Sequence, residues 1–457
     1  MLHFAAAIGS LLAALLLLTT GFAEPLGALR APPMLITVHL TTIGWLSLLM
    51  LGALYQFVPV ICNTTLYSQR LPIIGIGFIG IGLASMLLGF LALNGSTGLH
   101  IGYLPIGGAL LLFGFVLGGI NVGMTLWRGR PLPLQAVFVA VSLVFLLLTA
   151  LLGLAFALSL ALPRPPVFLL RLTASGLDLH IAAGLGGWFT LTVMGVSYRL
   201  LSMFMLAPDE PRRSTYAALL LTTGGLGLLV IGGLVTLDRG LAAAWVNWLG
   251  GTATGLGLAC YLSDVISFYR NRRRKLLELN SVTAAAALAL LAMAAAVGFA
   301  LAMADKLDQY AAPVAYLFVF GGLTGLGLGQ LYKIVPFLTW LEVFGKRLGK
   351  GPVPRVQDLV QESRARLWFI ACFVMAAIAS FALAVGHASH FRIAVAAQLL
   401  ATILIVMELW HARHPDPNLK PSLSRPAGSA LPLARKSQVP AVTAASAVPE
   451  SRSIQGD

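Results

Sequence analysis

Long apolar segments recur along almost the whole chain, and they constrain the fold more than any other feature of the sequence. Runs of about 20 hydrophobic residues are each long enough to cross a hydrocarbon layer roughly 30 Å thick. Only 10% of the 457 residues are Asp, Glu, Lys or Arg, whereas soluble globular proteins have roughly 25%. The sequence therefore predicts an all-α polytopic membrane protein whose first partner is the lipid bilayer.

The apolar segments predict about twelve transmembrane helices. We place them at residues 2–23, 34–62, 72–94, 101–127, 134–162, 174–205, 215–237, 243–269, 281–304, 310–340, 366–387 and 391–411. Residues 1–411 then form a twelve-helix membrane domain. Residues 412–457 are rich in Pro, Ala and Ser without apolar periodicity, which predicts a disordered cytoplasmic tail. A second interpretation of the first span is a cleaved signal peptide, with Gly21 and Ala23 at the cleavage site, although no Lys or Arg precedes it.

The net charge of +14 reports on topology, because the basic residues lie in loops between apolar runs. If the N-terminus is cytoplasmic, the inner loops carry sixteen Lys and Arg residues and the outer loops carry six. This asymmetry predicts that both termini are cytoplasmic. It gives no indication of a nucleic-acid partner.

Three of the predicted spans end in the same pattern, Gly-x-x-Tyr-[Gln/Arg/Lys]-x-x-[Pro/Ser]. Successive glycines are 143 and 134 residues apart, and each interval holds four spans, which predicts three pseudo-repeated four-helix arcs. Glycine allows a neighbouring helix to approach, and tyrosine can hydrogen-bond at the inner interface, so repeat packing is the simplest interpretation. The residues concerned are Gly52 and Tyr55, Gly195 and Tyr198, and Gly329 and Tyr332.

Histidines are the candidate functional residues of this chain. His39 lies early in span two, His180 early in span six, and His100 opens span four, all near the outer side. A titratable side chain within a span is costly and marks a ligand, a proton path or a paired site, and imidazole is the common protein ligand of haem iron and copper. The alternative for each is a histidine that bonds a nearby carbonyl or lies in the headgroup layer.

The surroundings of these histidines give two further expectations. Asp178 lies two residues before His180 and is a candidate to orient it. At ~100° per residue, His39 and His180 point about 160° and 40° away from their respective repeat glycines, which predicts that they face different inter-helix spaces. His387 and His390, three residues apart in the last outer loop, could share a metal, but solvated loop histidines are more common.

The twelve spans, the three arcs and the histidines of spans two and six resemble the catalytic subunit (subunit I) of haem-copper oxidases. The segments His39-Leu-Thr-Thr-Ile-Gly-Trp and Tyr332-Lys-Ile-Val-Pro-Phe look like those of a divergent group of oxidase-subunit-like bacterial membrane proteins. The resemblance implies that His39 is an axial ligand of a haem and, more weakly, that His180 is a copper ligand. It also implies location in the bacterial cytoplasmic (inner) membrane.

The chain departs from that family at several ligand positions. Residues 215–237 and 310–340 contain none of the histidines that the family places in spans seven and ten, and Tyr316 stands where a histidine would parallel His39. Gly184 replaces the family's tyrosine four residues after His180. We therefore assign no catalytic residue and expect no standard oxygen-reducing binuclear centre.

The leading functional hypothesis is a reduced haem or copper site on the outer side, held by His39 with help from His180 or His100. Its role would be redox sensing, gas handling or metal delivery, with a redox partner or another membrane subunit. One alternative is a transporter or channel without a cofactor, in which the repeats form pores and the histidines relay protons. Another is a non-catalytic subunit that packs within a larger membrane complex.

Overall fold

Twelve long helices build the part of the protein that the structure describes. The computed structural model describes residues 1–239, 241, 244–348 and 352–416, and no β-strand occurs among them. The helices are α1 (Leu2–Thr20), α2 (Pro32–Ile61), α3 (Leu71–Leu93), α4 (Tyr103–Arg128), α5 (Leu134–Ala161), α6 (Leu177–Met205), α7 (Arg213–Arg239), α8 (Ala244–Arg270), α9 (Leu279–Met303), α10 (Leu307–Val343), α11 (Glu362–Ala384) and α12 (Ala388–Arg413). The predicted all-helical polytopic fold is confirmed.

Each predicted span coincides with one of these helices. Within the described residues, eleven helices are long and apolar enough to cross a membrane. The twelfth, α8, has 27 residues but falls outside that set because polar residues such as Asn247 and Asp264 lower its hydropathy. At the end of the membrane domain, α12 continues to Arg413, two residues beyond the predicted boundary. The predicted disordered tail, from residue 417 onward, lies outside the described residues.

The helix contacts form a closed circuit. Every helix packs on the next one in the chain, and α12 packs on α1. The ion pair between Arg392 Nη2 and Glu24 Oε2, 2.6 Å apart, joins the start of α12 to the chain just after α1. The α-amino group of Met1 interacts with the charge of Arg413 at the end of α12. Thus α1 and α12 are antiparallel, and the chain begins on the face where α12 ends.

The repeat glycines lie where two helices approach closely, as predicted. A Cβ atom at Gly52 would lie 2.8 Å from the Cβ of His3 on α1, and one at Gly195 would lie 2.8 Å from the carbonyl oxygen of Gln135 on α5. At Gly329, a Cβ atom would collide with the hydroxyl of Thr283 on α9. In each case a side chain at the glycine position would force the preceding helix away.

Three helices contain a wide π-helical segment that the sequence did not predict. These segments are Leu40–Ser47 in α2, Ala182–Thr190 in α6 and Leu317–Leu323 in α10. A π-helix bonds each N–H to the carbonyl five residues earlier, and such segments often mark functional sites. A shorter one, Leu228–Gly232, occurs in α7.

Two buried tryptophans join the π-helical segments to one another. Trp45 Nε1 donates a hydrogen bond to Thr324 Oγ1 at 3.0 Å, which links α2 to α10. Trp188 Nε1 donates to Ser47 Oγ at 3.1 Å, which links α6 to α2. Both indole rings are almost fully buried. The second helices of the three predicted arcs therefore meet in the interior of the bundle.

Candidate functional site

His39 lies on α2 immediately before the π-helical segment. Its Nδ1 atom is 2.7 Å from the carbonyl oxygen of Leu35, one turn earlier, and its ring centroid is 5.2 Å from that of Phe90 on α3. A carbonyl accepts, so Nδ1 carries the proton and Nε2 keeps a free lone pair. This tautomer leaves Nε2 available as a metal ligand.

His180 occupies the corresponding place on α6, two residues before the π-helical segment. Its ring packs edge-on against Phe156 of α5, with centroids 5.7 Å apart. A Cβ atom at Gly153 would lie 3.3 Å from the Cε1 atom of His180, so the glycine makes room for the ring. The Nδ1 atom is buried and has no hydrogen-bond partner in the described part of the chain. The backbone of Thr149 forms a hydrogen bond with this imidazole, and the Nδ1 atom remains a candidate ligand atom.

His39 and His180 lie in the same part of the bundle, where the charge of His39 acts on His180. Both side chains are largely enclosed by protein, and each keeps part of its surface exposed. The expectation that they face different inter-helix spaces assumed ~100° per residue throughout. The π-helical segments lie between each histidine and its repeat glycine, and their wider turns change that angle.

The structure does not bring His100 or Asp178 to this pair. His100 is exposed in the loop before α4, and its Nδ1 accepts a hydrogen bond from the backbone N–H of Gly102 at 3.0 Å. Within the described residues, no three His, Cys, Asp or Glu side chains come together as a metal site. His100 therefore does not supply a third ligand beside His39 and His180.

The proposed orienting role of Asp178 is not seen either. Its side chain is exposed, whereas the Nδ1 atom of His180 is buried without a partner. The physical reason is the spacing, because residues two apart on a helix point to different faces. The hydrogen-bond partner of the His180 imidazole is instead the backbone of Thr149.

Tyr316 takes the corresponding place on the third of these helices, α10. Its hydroxyl is 2.6 Å from Gln398 Oε1 on α12, and its ring stacks on Phe320 with centroids 4.6 Å apart. Gln398 Nε2 in turn donates to the carbonyl of Phe320 at 3.4 Å. The polar groups of Tyr316 and Gln398 therefore bond within the protein, and this position offers no free atom to bind a metal.

A buried carboxylate lies at the opposite end of the bundle from His39 and His180. Asp264 on α8 is 1% exposed and accepts hydrogen bonds from Tyr198 Oη at 3.0 Å and Thr215 Oγ1 at 3.0 Å. Ser214 Oγ donates to it at 2.5 Å, and Arg212 Nη1 lies 3.8 Å away. A cavity of about 60 Å³ adjoins this group. Several of these partners, Arg212, Ser214 and Thr215, lie at the start of α7. The sequence spacing did not predict that they contact Asp264.

The tyrosines of the shared pattern do not all behave alike. Tyr198 makes the predicted hydrogen bond, to Asp264. The hydroxyl of Tyr332 is buried and has no partner among the described residues. The expected inner hydrogen bond is therefore confirmed for one of these two tyrosines.

Imidazole is a ligand that both haem iron and copper accept, so His39 and His180 are the side chains here that would hold either group. Two imidazoles can complete the two axial positions of a haem iron, whereas copper(II) favours a tetragonal set of about four ligands. The aromatic neighbours Phe90 and Phe156 supply an apolar wall on each ring. The free Nε2 of His39 and the unpartnered Nδ1 of His180 are the atoms that would bind the metal.

Comparison with models of known protein families gives no match, and comparison with curated protein sequences gives no significant match. The resemblance to haem-copper oxidases thus depends on the architecture and on the local segments around His39 and Tyr332.

Proposed function

We propose that this integral membrane protein binds a haem, or with lower preference a copper ion, between His39 and His180. The observation that carries the proposal is the pairing of these two interior histidines, one with a free Nε2 and the other with a buried, unpartnered Nδ1. The resemblance to the oxidase subunit supports the same two residues. The bound group would supply one-electron transfer or the binding of a diatomic gas.

The chain's own residues would hold and shield that group. The carbonyl of Leu35 fixes the tautomer and ring orientation of His39. Gly153 leaves the space in which the ring of His180 lies, and Phe156 packs against its edge. With one ligand each from α2 and α6, the site requires the two helices to keep their packing. The role we assign is redox sensing or gas handling, rather than oxygen reduction at a binuclear centre.

We further propose that the three four-helix units are repeats. Each π-helical segment begins 12 or 13 residues before its repeat glycine. In all three units the second helix packs on the fourth. Each fourth helix also carries a buried polar residue that bonds to the chain entering the third helix. These contacts are Asn121 with Ser68, Asp264 with Ser214, and Glu408 with Arg364.

The asymmetry of basic residues supports an orientation with both termini in the cytoplasm of a bacterial cell. The antiparallel packing of α1 and α12 is consistent with it, because both ends of the helical domain lie on one face. His39 and His180, near the starts of even-numbered helices, would then lie toward the outer side. A redox partner would approach from that side.

Absorption spectra and metal analysis of the protein purified in mild detergent test the cofactor proposal. We expect a haem Soret band that shifts on reduction, or stoichiometric copper if copper is the group bound. His39→Ala should remove the signal, and His180→Ala should remove it or shift the spectrum, since each loses a ligand. His100→Ala, which alters an exposed imidazole, should leave both measurements unchanged.

The size-exclusion profile of each variant separates loss of the cofactor from loss of folding. The proposal is wrong if the wild-type protein, expressed with adequate haem and copper, contains neither. It is also wrong if His39→Ala and His180→Ala, folded like the wild type, retain the full signal.

A further inference from the structure

A second pair of histidines lies at the start of α12. His387 immediately precedes the helix, and His390 lies in its first turn. Both side chains are exposed, and their ring centroids are 5.3 Å apart at an interplanar angle of 60°. Neither imidazole hydrogen-bonds to another residue in the described part of the chain. None of the four ring nitrogens therefore has a hydrogen-bond partner among the described residues.

The other end of the same helix provides a contrast. His411 and His414 have the same spacing and are also exposed. There, however, each Nδ1 bonds to a carbonyl one turn earlier, His411 to Met407 at 2.6 Å and His414 to Trp410 at 3.0 Å. The ring of His414 also packs on Trp410, with centroids 4.4 Å apart. Equal spacing therefore does not by itself turn two rings toward each other.

The difference between the pairs has a local cause. A histidine within a helix can reach the carbonyl four residues earlier, which is the bond that His411 and His414 make. Four residues before His390 the chain is not yet helical, because Gly386 has a left-handed φ of 75°. The rings of His387 and His390 accordingly face each other instead of the backbone.

The surrounding charges permit a cation to bind here. The nearest basic side chain on the same helix turn, Arg392, is paired with Glu24 at 2.6 Å. The partial positive charge of the helix start opposes a cation. Coordination bonds to imidazole can outweigh this electrostatic repulsion. A cation that binds through charge alone gains no such bonds and is repelled. This favours transition metals over magnesium or calcium, which prefer oxygen ligands.

We propose that His387 and His390 form an exposed two-imidazole site for a divalent transition metal ion, with water at its remaining positions. Rings at this separation can direct one nitrogen each to an ion at roughly 2.0–2.1 Å. The usual order of affinities places copper(II) first, with nickel(II) and zinc(II) weaker. Because the start of α12 lies beside the chain that joins α1 to α2, the site is on the same face as the start of α2. It does not depend on a cofactor at His39 and His180.

Titration of copper(II) into the full-length, tag-free, chelator-washed protein in detergent tests the site. Calorimetry measures the binding, and electron paramagnetic resonance reports nitrogen ligands on the bound copper. The double variant His387→Ala, His390→Ala should lose one bound copper equivalent and its nitrogen signature. The matched double variant His411→Ala, His414→Ala should retain both.

A third variant, His39→Ala with His180→Ala, separates this site from the interior one. It should retain the copper equivalent held by the α12 pair even if it loses the interior cofactor. The inference is overturned if the wild type binds no copper at this position, or if the two double variants on α12 lose binding to the same extent. It is also overturned if the copper equivalent is lost only when His39 and His180 are replaced.

Discussion

Single histidines in this chain differ mainly in what their ring nitrogens contact. His411 and His414 bond to backbone carbonyls at the surface, and His100 accepts a bond from its own loop. His180 alone among these has a buried Nδ1 without a described partner. The sequence identified His180 from its depth in a span, but it could not show which nitrogen is free. That property depends on ring orientation, which is set by Gly153 and Phe156 on another helix.

Asp264 illustrates the cost of removing one member of a buried polar cluster. Replacement by Ala would leave the hydroxyls of Tyr198 and Thr215 without their acceptor. It would also remove the carboxylate that pairs with Arg212. Leaving a buried hydrogen-bonding group without its partner costs about 1–3 kcal/mol. We therefore expect Asp264→Ala to lower the midpoint of thermal unfolding in detergent sharply, while Asp264→Asn lowers it less.

Asp178→Ala is the control for this prediction, because it removes an exposed carboxylate on a neighbouring helix of the same unit. Its unfolding midpoint should stay close to that of the wild type. Equal midpoints for Asp264→Ala and the wild type would show that the cluster does not stabilise the fold.

At the scale of helices, the existence and order of the elements were predictable, but their internal geometry was not. A helix in lipid must satisfy its own backbone hydrogen bonds, so each long apolar run predicts one helix. No comparable pattern in the sequence predicts the π-helical segments. They begin just after His39, His180 and Tyr316, and the segment in α6 is joined to α2 by the hydrogen bond from Trp188 to Ser47.

The start of α9 is held by a charged cluster that gives a pH-dependent stability. Glu278, just outside the helix, pairs with Lys333 of α10 at 2.5 Å and with Arg274. Burial opposes the charged form of Glu278, but the hydrogen bond and charge of Lys333, together with Arg274, outweigh it and hold the pKa of the carboxyl below its ordinary value. The unfolded chain then binds a proton at a higher pH than the folded one, so this stability is lost as the pH falls.

We expect Glu278→Gln to be less stable than the wild type at neutral pH, because Lys333 loses its charged partner. The difference should shrink as the pH falls below the ordinary carboxyl range, near ~4.3, where Glu278 of the wild type also becomes protonated. Unfolding midpoints measured from pH 7 to about pH 3, below the ordinary carboxyl pKa, check this. Glu210→Gln, the same change at an exposed loop position, should show no such trend. A difference that grows with acidity would contradict the assigned sign.

For the whole molecule, the sequence predicted twelve helices. It did not predict that the last helix packs on the first. The packing of α12 on α1 joins residues far apart in the chain, such as Glu24 and Arg392, which are 368 positions apart. Local hydropathy contains no information on such a contact. The repeat pattern was a better guide, because a glycine at the same place in three helices predicted three close approaches that the structure confirms.

The orientation of the whole bundle can be tested by labelling two loops on opposite faces. Thr97 lies in the loop between α3 and α4, and Asn271 lies in the loop between α8 and α9; both are exposed. Because basic residues concentrate in loops such as the second, we assign that face to the cytoplasm. In a Cys260→Ala background, with Cys62 and Cys372 buried, Thr97→Cys should react with a membrane-impermeant maleimide in bacterial cells whose inner membrane is intact. Asn271→Cys should react only after that membrane is permeabilised. The reverse pattern would place His39 and His180 toward the cytoplasm, so that a partner of the proposed cofactor would approach from inside the cell.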